Sequence, residues 1–246
     1  LFGKTPQDTF NITKKLKQNN FKAIKLGWEN FGLDLKNDQD HLVAARDAIG
    51  NELELMIDVG AIWGTNIEDA EKRLEIFQNA KITWLEEPFF SDAFYEYSEL
   101  YKKTNLPLAG GESCHSIESA KNMIRFGKVK FIQIDAGIAG GILAGKEICD
   151  FAESHDVQYV NHTFTSHLQL SSSLQPYASS NKSKFSEFPQ QLKSLAWDIT
   201  ENHISMDQNG YINIPEGVGH GMKINQSALD QYNVDVEIFV NKEKIF

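Results

Sequence analysis

Three acidic residues, Asp58, Glu86 and Glu112, each stand at the end of a short apolar run of the kind that forms β-strands. About one βα unit separates each from the next, so parallel strands would bring all three side chains to the same edge of one sheet. Carboxylates only a few Å apart stay ionised together when a cation lies between them, and ligation by oxygen alone selects a hard ion. The sequence therefore predicts a divalent metal site, with Mg²⁺ as the first choice.

Each of these acids also has a simpler interpretation. A single acid after a strand is often a helix N-cap or a solvated loop residue, and it is the recurrence in three consecutive units that favours metal ligation of the set. Glu87 follows Glu86 directly. We expect Glu87 to support the site while Glu86 binds the ion.

The elements that must position these acids are visible as alternating strand and helix patterns. Apolar runs rich in Ile, Val and Phe predict strands at residues 21–26, 53–59, 82–86, 106–109, 129–134, 157–160 and 185–188. Amphipathic stretches predict helices at residues 6–19, 40–50, 66–79 and 140–155. This alternation is typical of an α/β fold, and we expect a TIM-like (β/α)7β barrel with its active site at the C-terminal ends of the strands.

The domain organisation follows from the same pattern. Residues 1–215 are expected to form one metal-binding barrel domain, and residues 216–246 a C-terminal tail that packs on the barrel or its cap. Too few residues precede the first helix to supply a convincing first strand, and the chain starts with neither an initiator methionine nor a signal peptide. We therefore expect the first barrel strand to be missing from this chain.

Composition disfavours several classes of partner. The formal net charge of -10 argues against nucleic acid, which binds basic surfaces, and no apolar run approaches the roughly 20 residues that span a bilayer. The two cysteines, Cys114 and Cys149, have a spacing that indicates neither a disulfide framework nor a zinc site. A reducing cytoplasm is the expected location.

The ordered set of motifs resembles the enolase superfamily, and within it the mandelate racemase and muconate-lactonizing group. The matching stretches fall between residues 20 and 220 and are Phe21-Lys22-Ala23-Ile24-Lys25-Leu26-Gly27, Met56-Ile57-Asp58, Trp84-Leu85-Glu86-Glu87-Pro88, Gly110-Gly111-Glu112, Ile134-Asp135 with Gly140-Gly141, and Asn161-His162. The resemblance implies a barrel preceded by an N-terminal capping domain, which we expect to be absent from this sequence. It also implies removal of a proton alpha to a carboxylate, with Mg²⁺ stabilising the enediolate.

The resemblance also implies acid and base roles. Asp135 and His162 correspond to the family's Asp–His dyad, in which the carboxylate fixes the imidazole tautomer and the other ring nitrogen moves protons. His167, a few residues further on, is the rival base. Glu187 matches a family glutamic acid that hydrogen-bonds the substrate carboxylate, although a salt bridge at the barrel rim remains an alternative. Lys25 is expected to support the substrate carboxylate electrostatically.

Two departures from common family patterns reduce the number of possible reactions. Gly27 stands where a second lysine base is usual, which disfavours a two-base racemase, and Asp135-Ala136 stands where the muconate and succinylbenzoate branch has a lysine. What remains is a one-base reaction, in which His162 takes the alpha proton and then protonates a departing beta hydroxyl. The sequence therefore resembles an Mg²⁺-dependent acid-sugar dehydratase that acts on an aldonate or aldarate.

Other interpretations stay open. A racemase or epimerase of a 2-hydroxy acid would use Lys25 as the other base, and a barrel fragment would be inactive without its missing part. The expected partner is a small-molecule carboxylate, and the resemblance suggests a homo-oligomer. Trp28, Trp63, His115 and Thr163 follow predicted strands and are candidates for the wall of the pocket.

Overall fold

The computed structural model describes residues 1–190 and 192–244. Over these residues six parallel strands form one sheet in sequence order, and the sheet curls into a half-barrel. The strands are β1 (Ala23–Gly27), β2 (Glu54–Asp58), β3 (Trp84–Glu86), β4 (Leu108–Gly110), β5 (Phe131–Ile134) and β6 (Gln158–Asn161). The α/β barrel-type fold expected from the sequence is confirmed.

Helices connect consecutive strands, and others precede β1 and follow β6. They are α1 (Pro6–Lys17), α2 (Leu35–Ile49), α3 (Ile67–Glu71), α4 (Leu74–Asn79), α5 (Phe94–Lys103), α6 (Ile117–Asn122), α7 (Ala136–Ala139), α8 (Ile142–Ser154), α9 (His167–Leu174), α10 (Ser194–Asp198) and α11 (Gln226–Tyr232). A π-helical turn, Met123–Gly127, continues α6, and a 3₁₀ turn, Gln175–Ser179, continues α9. Within the described ranges, none of the helices combines the length and apolar character that crossing a bilayer requires.

Local sequence explains where several helices begin. Thr5 caps α1 through a reciprocal pair of bonds with Asp8, and Pro6 occupies the first helical position, where its missing N–H costs nothing. The predicted helix over residues 66–79 is instead two helices, α3 and α4. They are separated at Arg73, whose guanidinium turns inward to the buried carboxylate of Asp38 at 2.7 Å.

Side chains of the strands point alternately to two cores. The larger core lies between sheet and helices and includes Leu55, Ile57 and Leu85. The inner core fills the barrel and consists of Met56, Trp84, Ala109, Phe131 and Val160, with Ala23 and Phe185 packed against it. Because side chains on a strand alternate, the residues two positions beyond Met56 and Trp84 also face inward, at the C-terminal end of the sheet. Those residues are the acids that end β2 and β3.

The prediction of a strand at residues 185–188 is wrong. Among the described residues this segment has no ladder pairing, although its Phe185 packs on the inner core as a barrel strand would. Its backbone binds a side chain instead: the N–H of Glu187 donates to Asn161 Oδ1 at 2.9 Å, and Asn161 Nδ2 donates to the carbonyl of Glu187 at 3.0 Å. One amide side chain from β6 therefore takes the place of a strand ladder.

The start and the tail of the chain differ in how they join the barrel. The N–H of Phe2 donates to the carbonyl of Gly27 at 3.0 Å. The first residues therefore bond to the backbone at the end of β1, but they form no strand in the described structure. Past residue 200, Ile204 joins a small core with Leu170 and Leu174 of α9. A two-stranded hairpin, β7 (Phe239–Val240) and β8 (Glu243–Lys244), ends the described tail. The predicted boundary at residue 215 stays a prediction, and residues 245 and 246 of the predicted tail lie outside the described residues.

Candidate active site

The three acids predicted from the sequence lie together. Asp58 ends β2 and Glu86 ends β3, where the strand register places them side by side, and Glu112 follows β4. Each offers a carboxylate oxygen within 4.8 Å of the others. Asp58 and Glu86 are buried and Glu112 is half-buried, so the cluster lies inside the mouth of the half-barrel. This arrangement can hold a metal ion.

Each buried carboxylate of this cluster is held by donors from its surroundings. Asp58 accepts from the indole Nε1 of Trp28 at 3.0 Å through one oxygen and from the N–H of Gly60 at 2.9 Å through the other. Glu86 accepts from the indole Nε1 of Trp84 at 3.0 Å and from Lys25 Nζ at 2.6 Å. The orientation of both carboxylates is therefore fixed from the protein side.

The electrostatics of the cluster fit a divalent cation. Burial raises the pKa of Glu86 to about 8, with Lys25 opposing the shift and Asp58 adding to it. Burial likewise raises the pKa of Glu112, again with Asp58 adding to it. A hard cation at this position would favour the ionised form of all three groups, and oxygen-only ligation suits Mg²⁺ or Ca²⁺ better than a soft metal. The residues present therefore fit such an ion.

Glu87 lies beside the cluster in an uncommon backbone conformation. Its φ is +43°, a region that non-glycine residues enter infrequently, and its N–H and carbonyl are bonded to Ala109 and Ala61 at 3.0 and 2.7 Å. The side chain is buried, and burial, with Glu112 and Asp58 nearby, raises its pKa to about 8. Glu87 is thus a neighbour of the acid cluster, as expected from its place after Glu86.

The predicted acid–base pair is also brought together. His162 Nδ1 lies 3.2 Å from Asp135 Oδ2, and His162 Nε2 lies 3.2 Å from Glu112 Oε2. Burial alone would lower the pKa of His162, but the bond to Asp135 and the charges of Glu187 and Glu112 outweigh it and raise the pKa to about 9. The imidazole therefore lies between the dyad carboxylate and the acid cluster.

Asp135 is held so that one oxygen faces the imidazole. Its Oδ1 accepts from the N–H groups of Gly137 and Ile138 at the start of α7, at 2.8 and 3.3 Å. Its Oδ2 accepts from Gln169 Nε2 as well as facing His162. These donors fix the orientation of the carboxylate, which in turn fixes the tautomer of His162.

Lys25 and Glu187 form an ion pair beside the acid cluster. Lys25 Nζ lies 2.8 Å from Glu187 Oε1 and 2.6 Å from Glu86 Oε1. Burial would lower the pKa of Lys25, but Glu187, Glu86 and Asp58 together hold it well above its ordinary value. Lys25 is therefore a fixed cation. Glu187 completes its contacts by accepting from the N–H of Thr163 at 2.8 Å.

The other residues considered from the sequence divide into two groups. Trp28 and Thr163 contact site carboxylates, as described above. His167 is buried in the small core, where its Nδ1 accepts from the N–H of Ile204 at 2.9 Å, so it is part of the packing around α9. Trp63 is buried and donates to Gly32, and His115 is exposed.

Three side chains of the site were missed in the sequence. Trp84 had a signal, since it lies two positions before Glu86 on the same strand face. Gln169 had none, and Asn161 stood in a matching stretch without an assigned role, because the partners of an amide side chain depend on tertiary packing that neither periodicity nor spacing encodes.

This combination of fold and site defines a class of protein: an α/β barrel that gathers three carboxylates at the ends of consecutive strands and an Asp–His pair on the next two. The chain belongs to the family described as enolase C-terminal domain-like, whose family model matches residues 11–228.

Known relatives agree with this membership. The chain is 27% identical over 222 residues to the D-galactarolactone cycloisomerase of Agrobacterium fabrum, a match that covers 87% of this chain and 57% of the relative. It is 29% identical over 157 residues to the L-talarate/galactarate dehydratase of Salmonella typhimurium, covering 63% of this chain and 38% of the relative. A crystal structure described as a predicted mandelate racemase from Rhodobacter sphaeroides has 39% identity and a TM-score of 0.91, covering all of this chain and 63% of that one. The chain thus spans less than two thirds of each relative's length.

Proposed function

We propose that this protein is an Mg²⁺-dependent dehydratase of a sugar acid, either an aldonate or an aldarate. The observation that carries the proposal is the placement of one histidine, His162, between Asp135 and the acid cluster, while Lys25 is held as a cation by Glu86 and Glu187. The site thus offers a single base. The name of the Salmonella typhimurium relative, a dehydratase of two sugar diacids, supports the same reaction class.

Asp58, Glu86 and Glu112 would hold the ion, and the substrate carboxylate would bind next to it. A bound Mg²⁺ would stabilise the negative charge that develops on the substrate carboxylate when its alpha proton leaves. Lys25 would stabilise the same charge from the protein side. Glu187, whose carboxylate is already held by Lys25 and by the N–H of Thr163, would orient the substrate carboxylate.

His162 would carry out both proton transfers. A cation held by Glu112 would offset the charge that raises the pKa of His162 and so favour the neutral imidazole, which accepts the alpha proton while Asp135 holds its Nδ1 side. The imidazolium then donates this proton to the beta hydroxyl as the carbon–oxygen bond breaks, so that water leaves and an enol remains. The enol tautomerises to a 2-keto-3-deoxy sugar acid. A single group that acts first as base and then as acid explains why Gly27 can stand where a second base is usual.

A second candidate has support from the relative of Agrobacterium fabrum, which is named as a cycloisomerase of a sugar lactone. The same proton abstraction with loss of a beta oxygen gives a different product when that oxygen belongs to a ring, because the leaving group then stays attached. A lactone substrate would therefore isomerise without releasing water. An epimerase is less well supported, because the raised pKa of Lys25 makes it a poor second base near neutral pH.

The test is a substrate screen on the full-length protein. Aldonates, aldarates and their lactones are supplied with Mg²⁺, and 2-keto-3-deoxy products are detected with semicarbazide. Chelator should abolish either reaction. A keto product that forms from an open acid with the loss of one water supports the dehydratase, whereas a keto product with the same mass as the lactone supplied supports the cycloisomerase. Solvent deuterium at the alpha carbon with inversion and no loss of water would support an epimerase and refute dehydration.

Two variants test the role of the base. His162→Asn should abolish dehydration while it leaves Mg²⁺ binding near normal, because the imidazole is not one of the three expected ligands. His155→Asn is the matched control, since His155 is exposed and its ring bonds only to neighbouring groups of α8. Unchanged turnover in His162→Asn would eliminate the one-base mechanism.

A further inference from the structure

Two of the three expected metal ligands each accept a hydrogen bond from the indole N–H of a different tryptophan. Trp28 Nε1 donates to Asp58 Oδ2, and Trp84 Nε1 donates to Glu86 Oε2, both at 3.0 Å. An indole donates one hydrogen bond and accepts none, so each ring can hold a carboxylate oxygen but cannot compete with it for the ion.

Trp84 holds its carboxylate from the floor of the site. The ring is 2% exposed and packs on Phe131 and Phe185, with centroid distances of 4.7 and 5.6 Å. A buried indole N–H in such apolar surroundings needs an acceptor, because an unmade hydrogen bond there costs about 1–3 kcal/mol. Glu86 provides that acceptor. The packed ring therefore fixes the direction in which Glu86 points.

Trp28 holds its carboxylate from the rim. Its backbone has a φ of +66°, which is uncommon for a bulky residue and is maintained only where the surroundings enforce it. The ring lies so close to Gly60 that a Cβ there would be 3.1 Å from it, and the N–H of Gly60 binds the other oxygen of Asp58. Trp28 and Gly60 thus hold the two oxygens of Asp58 from two neighbouring loops.

We infer that Trp28 and Trp84 are positioning residues of the metal site, which hold Asp58 and Glu86 in the orientation that binds a divalent ion. This inference rests on the metal site of the proposed function. Groups that orient metal ligands typically change metal affinity by about 10- to 100-fold when they are removed. Phenylalanine keeps the ring and removes the N–H, so Trp28→Phe and Trp84→Phe should each weaken Mn²⁺ or Mg²⁺ binding by roughly that factor.

The wild-type protein offers a test that needs no variant. The chain has four tryptophans, and the other two, Trp63 and Trp197, lie away from the acid cluster: the indole of Trp63 donates to Gly32, and Trp197 stacks on His203. In a ¹⁵N-tryptophan-labelled sample, Mg²⁺ should shift the indole N–H resonances of Trp28 and Trp84 and leave the other two in place. Equal shifts at all four indoles, or none at Trp28 and Trp84 while the ion binds, would overturn the inference.

Affinity measurements complete the test. Mn²⁺ binding is followed by electron paramagnetic resonance for wild type, Trp28→Phe, Trp84→Phe and the control Trp63→Phe, which loses an indole hydrogen bond to a backbone carbonyl. Weaker binding in the first two variants alone supports the inference. Equal affinity in all four proteins overturns it while the metal site stands. No binding by the wild type would overturn the metal site of the proposed function as well.

Discussion

Replacing Asn161 with alanine should loosen the segment that closes the half-barrel. Asn161 is fully buried at the end of β6, and its Oδ1 accepts from the N–H of Glu187, from Ser186 Oγ and from Tyr177 Oη at 2.9–3.0 Å. Its Nδ2 donates to the carbonyl of Glu187 at 3.0 Å. Four bonds to the segment and its support therefore depend on one side chain.

The magnitude follows from these bonds. At about 1 kcal/mol for each hydrogen bond, the loss of four amounts to about 4 kcal/mol, and some of it is recovered because water can reach Ser186. Tyr177 has one hydroxyl proton and shares it between Asn161 Oδ1 and the carbonyl of Phe185, which is closer at 2.7 Å, so little of that bond is lost. We therefore expect Asn161→Ala to lower the free energy of unfolding by about 2–4 kcal/mol.

Activity should fall together with stability, because the same bonds place Glu187 against Lys25. Displacement of Glu187 would weaken the contact with the substrate carboxylate, so KM should rise as kcat/KM falls. Asn161→Asp is an informative second variant, since it keeps an acceptor for the N–H of Glu187 but turns an oxygen toward its carbonyl. It should lie between wild type and Asn161→Ala in both measurements.

Urea unfolding followed by circular dichroism measures the stability change, and Ser186→Ala is the matched control. That variant removes one donor to Asn161 Oδ1 and leaves both bonds to Glu187 in place, so its cost should stay below about 1 kcal/mol. If Asn161→Ala cost no more than this control, other contacts would hold the segment and the reasoning would be refuted.

Three further predictions concern the buried ion pair, pH and the metal. Arg73→Met should lower the free energy of unfolding by about 3–5 kcal/mol, measured in denaturant, because it leaves the fully buried Asp38 without its cation. Burial lowers the pKa of His41 below its ordinary value of 6.5, so its neutral form stabilises the fold above pH 6.5, and this stability is lost as the pH falls through the folded-state pKa. In His41→Gln, urea unfolding should therefore show a smaller loss of unfolding free energy as the pH is lowered below 6.5. Glu112→Gln should weaken Mg²⁺ binding by at least about tenfold in calorimetry, whereas Glu118→Gln, an exposed control, should not.

The acid cluster could be predicted because its signals are local. A short apolar run that ends in Asp or Glu marks both a buried strand and the end at which a barrel gathers functional groups, so Asp58 and Glu86 were placed from a few neighbouring residues each. The pairing of His162 with Asp135 came from the resemblance to a family, and the structure brings these side chains to 3.2 Å. Roles for these residues in binding and catalysis remain proposals.

The closure of the barrel could not be predicted because its bonds come from side chains. Residues 185–188 form a short segment bounded by two phenylalanines, and Phe185 and Glu187, two positions apart, both face inward as they would on a strand. Their backbone, however, is satisfied by the amide of Asn161, and Glu187 reaches β1 through Lys25. A periodic pattern reports which face a residue occupies, but it cannot tell a neighbouring strand from a side chain that makes the same hydrogen bonds.

Gly27 affects both the choice of catalytic base and the packing of the sheet. It ends β1 directly beside Asp58 of β2, and a Cβ at position 27 would lie 2.2 Å from the backbone oxygen of Asp58. That distance is far inside van der Waals contact, so any side chain there would push apart the two strand ends and move an expected metal ligand. A second lysine base is therefore incompatible with the present spacing of these strands, and Lys25 is held as a cation between Glu86 and Glu187. Conversion to a two-base reaction would require a new spacing between β1 and β2 as well as a new base.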